Sequence, residues 1–136
     1  MVGNGDLYNE VKETISNLNL EDNIKLVGFQ KNPFEYMNKS KIFCLPSLWE
    51  GYGLVAFEAM TLGLPAIVSP VGGLVELVDN NCGNLCKNTK EFVDEINTLL
   101  SDNKKLIKKS DEAILKSKRI DNLKEYMDKL YVIYSS

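Results

Sequence analysis

The stretch from Pro46 to Val78 reads "PSLWEGYGLVAFEAMTLGLPAIVSPVGGLVELV". Glycines and prolines punctuate it, and the runs between them are apolar. "KIFCLP" predicts a buried strand over Ile42–Leu45, closed by Pro46. A glycine loop follows, then a helix from Gly53 to Leu62 that Gly63 stops. "PAIVS" predicts the next strand, Ala66–Ser69, and "VGGLVELV" a loop that opens a short helix. Two carboxylates stand out. Glu58 sits inside "LVAFEAM", and Glu50 lies eight residues earlier in the glycine turn. A carboxylate among hydrocarbon is costly unless something binds it.

The same alternation continues on both sides. Val2 is the remnant of a strand ending at "GNG". Leu7, Val11, Ile15 and Leu18 recur at helical spacing and predict a helix over residues 6–18. "NIKLVGF" predicts a strand over Ile24–Val27. Asn32, Pro33 and Glu35 mark the start of another helix. Downstream, "GNLC" predicts a short strand, and Asn88 with Glu91 forms a capping-box pattern for a helix to about Leu100. Two more helices are expected, over 104–117 and 122–134. Strand-helix alternation with short apolar strands predicts a Rossmann-like parallel sheet with helices on both faces. Ligands of such sheets bind beyond the carboxyl ends of the strands. Three glycine turns, "VGNG", "LPSLWEGYG" and "SPVGG", are expected on that rim.

Composition narrows the chemistry. The 136 residues fit one domain, and 44% hydrophobic with 26% charged is globular. The net charge of -3 gives nucleic-acid binding no support. No apolar run is long enough to cross a membrane, and "MVGNGDLYNE" lacks the features of a signal peptide. Three cysteines, Cys44, Cys82 and Cys86, suit a reduced, cytoplasmic protein rather than a disulfide framework. With no histidine and no second cysteine pair, no metal site is expected. The same absence rules out Ser-His-Asp and Cys-His mechanisms within this chain. Residues 87–136 hold 11 Lys or Arg against 9 acids, whereas residues 1–86 hold 5 Lys against 10. That basic tail is compatible with peripheral contact at an anionic membrane, but its interspersed charges fit a solvated helical face better.

"EGYGL" places Gly51 and Gly53 where backbone comes close to a neighbour or takes positive φ, just ahead of a helix start. Free N–H groups there form an anion site. In isolation such a G-x-G is more often a tight turn. No P-loop motif and no G-x-G-x-x-G is present. Glu58 has two readings. It either lies at the exposed edge of a mostly buried helix or accepts two hydrogen bonds from a vicinal diol such as the ribose 2′- and 3′-hydroxyls.

Glu50 and Glu58 form E-x7-E, and the run "LPSLWEGYGLVAFEAMTLGLPAIVSPVGGLVELV" resembles the donor-binding half of GT-B fold, GT4-like (group 1) retaining glycosyltransferases. "VGNGDLYNEVKETISNLNLEDNIKLVGF" and "GNL" extend the resemblance over nearly the whole chain. It implies that residues 1–136 form a nucleotide-sugar (donor) domain, the C-terminal half of a GT-B fold without its first βα unit. It implies Glu58 as the ribose acid and Glu50 as the catalytic acid near the transferred sugar. Gly51 and the amides of Gly53, Leu54 and Val55 would cradle the diphosphate. Gly28, Phe29 and Lys31, with Gln30, would line the nucleobase, and Gly3 a glycine turn beside them. The partners implied are a nucleoside diphosphate sugar and an N-terminal Rossmann acceptor domain, with no cofactor and no metal. The family's basic Arg…Lys pair, which neutralises the diphosphate, has no counterpart here. The competing class is a non-catalytic nucleotide-binding or regulatory module. A receiver-like domain would need an Asp after its central strand, where this chain has Pro46 and Ser47.

Overall fold

The computed structural model describes residues 1–120. The helix expected over 122–134 lies outside the described residues. The chain divides into two compact units, Met1–Tyr36 and Met37–Ser136.

In the first unit, helix α1 (Tyr8–Asn17) forms on the expected spacing, with Ile15 buried. Asn19 ends it in the left-handed region, φ 54°, its N–H donating to the Ser16 carbonyl. The expected strand Ile24–Val27 is not formed as a regular strand. The Val27 N–H donates to the Met1 carbonyl at 3.0 Å and the Gly3 N–H to the Gly28 carbonyl at 2.8 Å. Gly3 (φ 126°) and Gly28 (φ 65°) both turn out of extended geometry, so the pairing stops before it becomes a ladder. Helix α2 (Phe34–Met37) is a single turn. Asn32 meets Glu35 side chain to side chain, Nδ2 donating to Oε1 at 3.3 Å.

The second unit is a three-stranded parallel sheet, in the order β1 (Phe43–Leu45), β2 (Ala66–Val68), β3 (Gly83–Leu85). Phe43 faces Ala66 and Ala66 faces Gly83. The helices α3 (Leu54–Thr61), α4 (Leu74–Leu77), α5 (Thr89–Ser101) and α6 (Asn103–Ile120) pack around it. Side chains alternate across a strand, and β2 uses this fully. Ala66 and Val68 join Ala56, Met60, Leu74 and Ala113 in one core, which draws on α3, α4 and α6. Ile67 points the other way, into a second core with Phe92 and Leu99 of α5. Both faces are therefore covered, which is why β2 reads as an unbroken apolar run.

Asn88 caps α5 as expected, its side chain accepting from the Glu91 N–H at 3.0 Å. Glu91 reaches back one residue further than the capping-box pattern, to the Lys87 N–H at 2.7 Å. All three cysteines are free, with Cys82 and Cys86 buried. No helix among the described residues is long and apolar enough to cross a membrane.

Candidate functional site

Two loops leave the carboxyl ends of adjacent parallel strands, so they share one rim of the sheet. The first runs from Pro46 to Gly53 between β1 and α3, the second from Ser69 to Gly73 between β2 and α4. They touch through backbone: the Gly73 N–H donates to the Gly51 carbonyl at 2.7 Å. The first loop carries a projecting apolar tip. Leu48 is 98% exposed, Trp49 82% and Tyr52 86%.

Gly53 is the N-cap of α3, in the left-handed region at φ 72°. No side chain caps this end. The Gly53 carbonyl accepts from the Ala56 and Phe57 N–H groups at 2.9 and 3.0 Å. The N–H groups of Gly53, Leu54 and Val55 find no acceptor among the described residues. Open donors at a helix start favour an anion through both hydrogen bonding and the helix dipole. Leu54 itself is exposed, and Val55 is half-buried against Met37, Ala59 and Leu64.

Glu50 is half-buried, and its Oε1 accepts from the Gly51 N–H at 3.2 Å. Glu58 is also half-buried. The inward face of α3 falls on Ala56, Ala59 and Met60, which are buried completely. Leu54, Glu58 and Thr61, spaced by four and three residues, are left on the outer face. The apolar sequence around Glu58 is therefore not matched by full burial. Its carboxylate has no hydrogen-bond or ion-pair partner among the described residues and remains free to accept.

In the first unit the structure brings Gly3 and Gly28 together through their hydrogen bond. Phe29 is 77% exposed and Lys31 is exposed. Gln30 folds back, its Nε2 donating to the Val27 carbonyl at 2.6 Å. Sequence reasoning placed the turn that holds Gly72 and Gly73 on this rim but gave neither residue a part in binding. No group of three or more potential metal ligands lies together among the described residues.

Comparison with known proteins concerns the chain as a whole. A family model described as glycosyl transferases group 1 matches residues 1–119. An Escherichia coli relative, UDP-Gal:alpha-D-GlcNAc-diphosphoundecaprenol alpha-1,3-galactosyltransferase, is 36% identical over 117 residues, covering 85% of this chain and 28% of its own. Among solved structures, Anabaena Alr3699/HepE in complex with UDP and glucose superposes with a TM-score of 0.86 at 26% identity, over 99% of this chain and 40% of that one. The C-terminal domain of the group 1 family protein LpcC from Francisella tularensis superposes with a TM-score of 0.75 at 26% identity, over 84% of this chain and 62% of that one. The chain thus spans well under half the length of the E. coli relative and of HepE. Its fold is the α/β arrangement of the GT-B glycosyltransferases, and the chain belongs to the glycosyl transferases group 1 family.

Proposed function

We propose that this chain is the nucleotide-sugar-binding half of a retaining glycosyltransferase. The observation that carries the reading is the α3 start. Three open N–H groups there stand between two carboxylates that are spaced along one loop and helix. The diphosphate of the donor sits on the amides of Gly53, Leu54 and Val55, with Gly51 in the turn ahead of them. Glu58 accepts from the ribose hydroxyls, and Glu50 contacts the transferred sugar. Charge grows on the leaving diphosphate as the glycosidic bond breaks, and pre-aligned N–H donors stabilise it there. No metal is assigned to this step. No residue of the chain is placed as a nucleophile, which suits transfer to an acceptor hydroxyl on the same face of the sugar. The HepE complex with UDP and glucose supports the donor class. Acceptor binding is assigned to an N-terminal Rossmann domain of the whole enzyme, and peripheral membrane contact to the whole enzyme.

Saturation-transfer NMR with UDP-, GDP- and ADP-sugars tests the reading. Transfer to the ribose protons of one donor is expected, and Glu58→Ala should weaken it. A chain that gives no transfer with any of the three, or a Glu58→Ala variant that binds as well as the parent, would remove the basis for this assignment.

A further inference from the structure

Gly72 and Gly73 contact no part of the donor as placed above, yet their backbone lies against the Glu50 loop at a distance no side chain permits. A Cβ on Gly72 would stand 1.7 Å from the Glu50 carbonyl oxygen and 3.0 Å from that of Gly51. A Cβ on Gly73 would stand 2.9 Å from the Gly51 carbonyl oxygen, the Tyr52 Cα and the Tyr52 carbonyl oxygen. Gly72 also holds φ 52°, and the Gly73 N–H bonds the Gly51 carbonyl at 2.7 Å. Every atom in these contacts belongs to the backbone of Glu50, Gly51 or Tyr52, so no rotamer change can relieve the crowding. Gly51 itself has nothing within 4 Å of its Cβ position. The close fit is therefore imposed from the β2–α4 side.

We infer that the Gly72–Gly73 turn is the positioning element for Glu50. It sets the height of the Glu50–Tyr52 backbone above the rim and so fixes where the Glu50 carboxylate meets the transferred sugar. The inference rests on the donor reading for the role of Glu50, while the contact itself does not. A methyl group on Gly72 forces the Glu50 carbonyl back by more than about 1 Å, a displacement that at a reacting group can cost about a hundredfold.

The chain has one tryptophan, Trp49, next to Glu50 and 82% exposed. Its single indole N–H peak in a 1H–15N spectrum reports the loop directly. Gly72→Ala and Gly73→Ala are expected to shift that peak and to weaken binding of the nucleotide-sugar that the parent chain prefers by about tenfold or more. Gly63→Ala is the control for ordinary damage. Gly63 also has positive φ, 77°, but its Cβ position meets only Ile114 and Ser110 side-chain atoms at 3.1 Å. That variant should lose stability and leave the Trp49 peak in place. Should Gly72→Ala not fold, Gly73→Ala, with its milder contacts, carries the test. An unmoved Trp49 peak in the glycine-pair variants, an equal shift in Gly63→Ala, or a shifted peak with undiminished binding would each overturn the inference. If the parent binds no UDP-, GDP- or ADP-sugar while the pair still moves Trp49, the donor reading falls and the turn's control of the loop stands.

Discussion

The Lys109 ammonium of α6 donates to the Gly83 carbonyl at the start of β3, at 2.7 Å and out of contact with solvent. It also donates to the Asn80 carbonyl and to Asn84 Oδ1, both at 2.6 Å. Three acceptors saturate the three N–H groups of a lysine. Burial pulls the Lys109 pKa below the ordinary lysine value, and Glu95, 4.0 Å away, pulls it back up.

Removing this ammonium leaves the buried Gly83 carbonyl without its donor and takes one from the part-buried Asn80 carbonyl and Asn84 Oδ1. Each unsatisfied buried group costs about 1–3 kcal/mol. Lys109→Met keeps the aliphatic stem and should lower unfolding free energy by about 2 kcal/mol or more. Urea denaturation followed by circular dichroism measures it, and a loss below about 0.5 kcal/mol would mean that water replaces the ammonium at no cost.

Glu58 behaves differently, because it is half-buried and makes no bond to give up. Glu58→Gln should change stability by no more than about 0.5 kcal/mol, the usual range for such positions. The same variant should weaken nucleotide-sugar binding. A stability loss above about 1 kcal/mol would make Glu58 a structural partner of another residue and undermine its assignment to the ribose.

Gly53 and Gly51 should separate cleanly. At φ 72° a side chain on Gly53 is strained, and its Cβ would stand 2.6 Å from Leu74 Cδ2. Left-handed backbone alone costs an L-residue about 1–2 kcal/mol, so Gly53→Ala should lose at least that in thermal or urea melts. Gly51→Ala meets open space and should melt within about 0.5 kcal/mol of the parent. Equal losses in the two variants would contradict the geometry of this turn.

Asp79 binds Lys116 at 2.6 Å, and that hydrogen bond, with the Lys116 charge and the Asn81 N–H working the same way against partial burial, lowers its pKa from 3.8 to about 2. A carboxylate with a depressed folded-state pKa stabilises the fold fully above its unfolded value and loses the effect as pH falls through the folded one. The stability gap between the parent and Asp79→Asn should therefore be constant above about pH 5 and shrink between about pH 4 and 2. The Asp79 side chain is 46% exposed, so the gap should be under about 1 kcal/mol even at neutral pH. A gap that widens on acidification would show that another group governs it.

The parts of the fold written in local chemistry were legible. Pro46, Gly53, Gly63 and Pro65 bound β1, α3 and β2 within a residue or two of their observed ends. Asn88 and Glu91 announced the start of α5. What depended on a distant partner was not legible. Ile24–Val27 has strand composition, but only Met1 and Gly3 pair with its neighbourhood, which gives too few bonds for a ladder. Lys109 lies in the lysine-rich run "NKKLIKKSD" and looks solvated there. Only the folded chain brings it to the carbonyls of Asn80 and Gly83. Glu58 was legible as an unusual carboxylate but not in its degree of burial, because which α3 residues turn inward is set by the packing of Ala56, Ala59 and Met60. The carboxylates and glycines of the candidate site stood out in the motif. The pressure of Gly72 on Glu50 did not, because it acts between loops about twenty residues apart.

The Ser110 hydroxyl donates to the Gly63 carbonyl at 2.5 Å, across 47 residues of chain. This bond has a consequence for the order in which the second unit is assembled on the ribosome. The three strands lie side by side in the order they are made, so the sheet can lengthen as the chain emerges. The end of α3, by contrast, waits for α6. Until residue 110 has left the exit tunnel, the Gly63 carbonyl lacks its donor and the side of α3 that meets Ala113 stays uncovered. Nascent chains halted with α6 still inside the tunnel should be cut by protease within α3, and those in which residue 120 has cleared the tunnel should be spared.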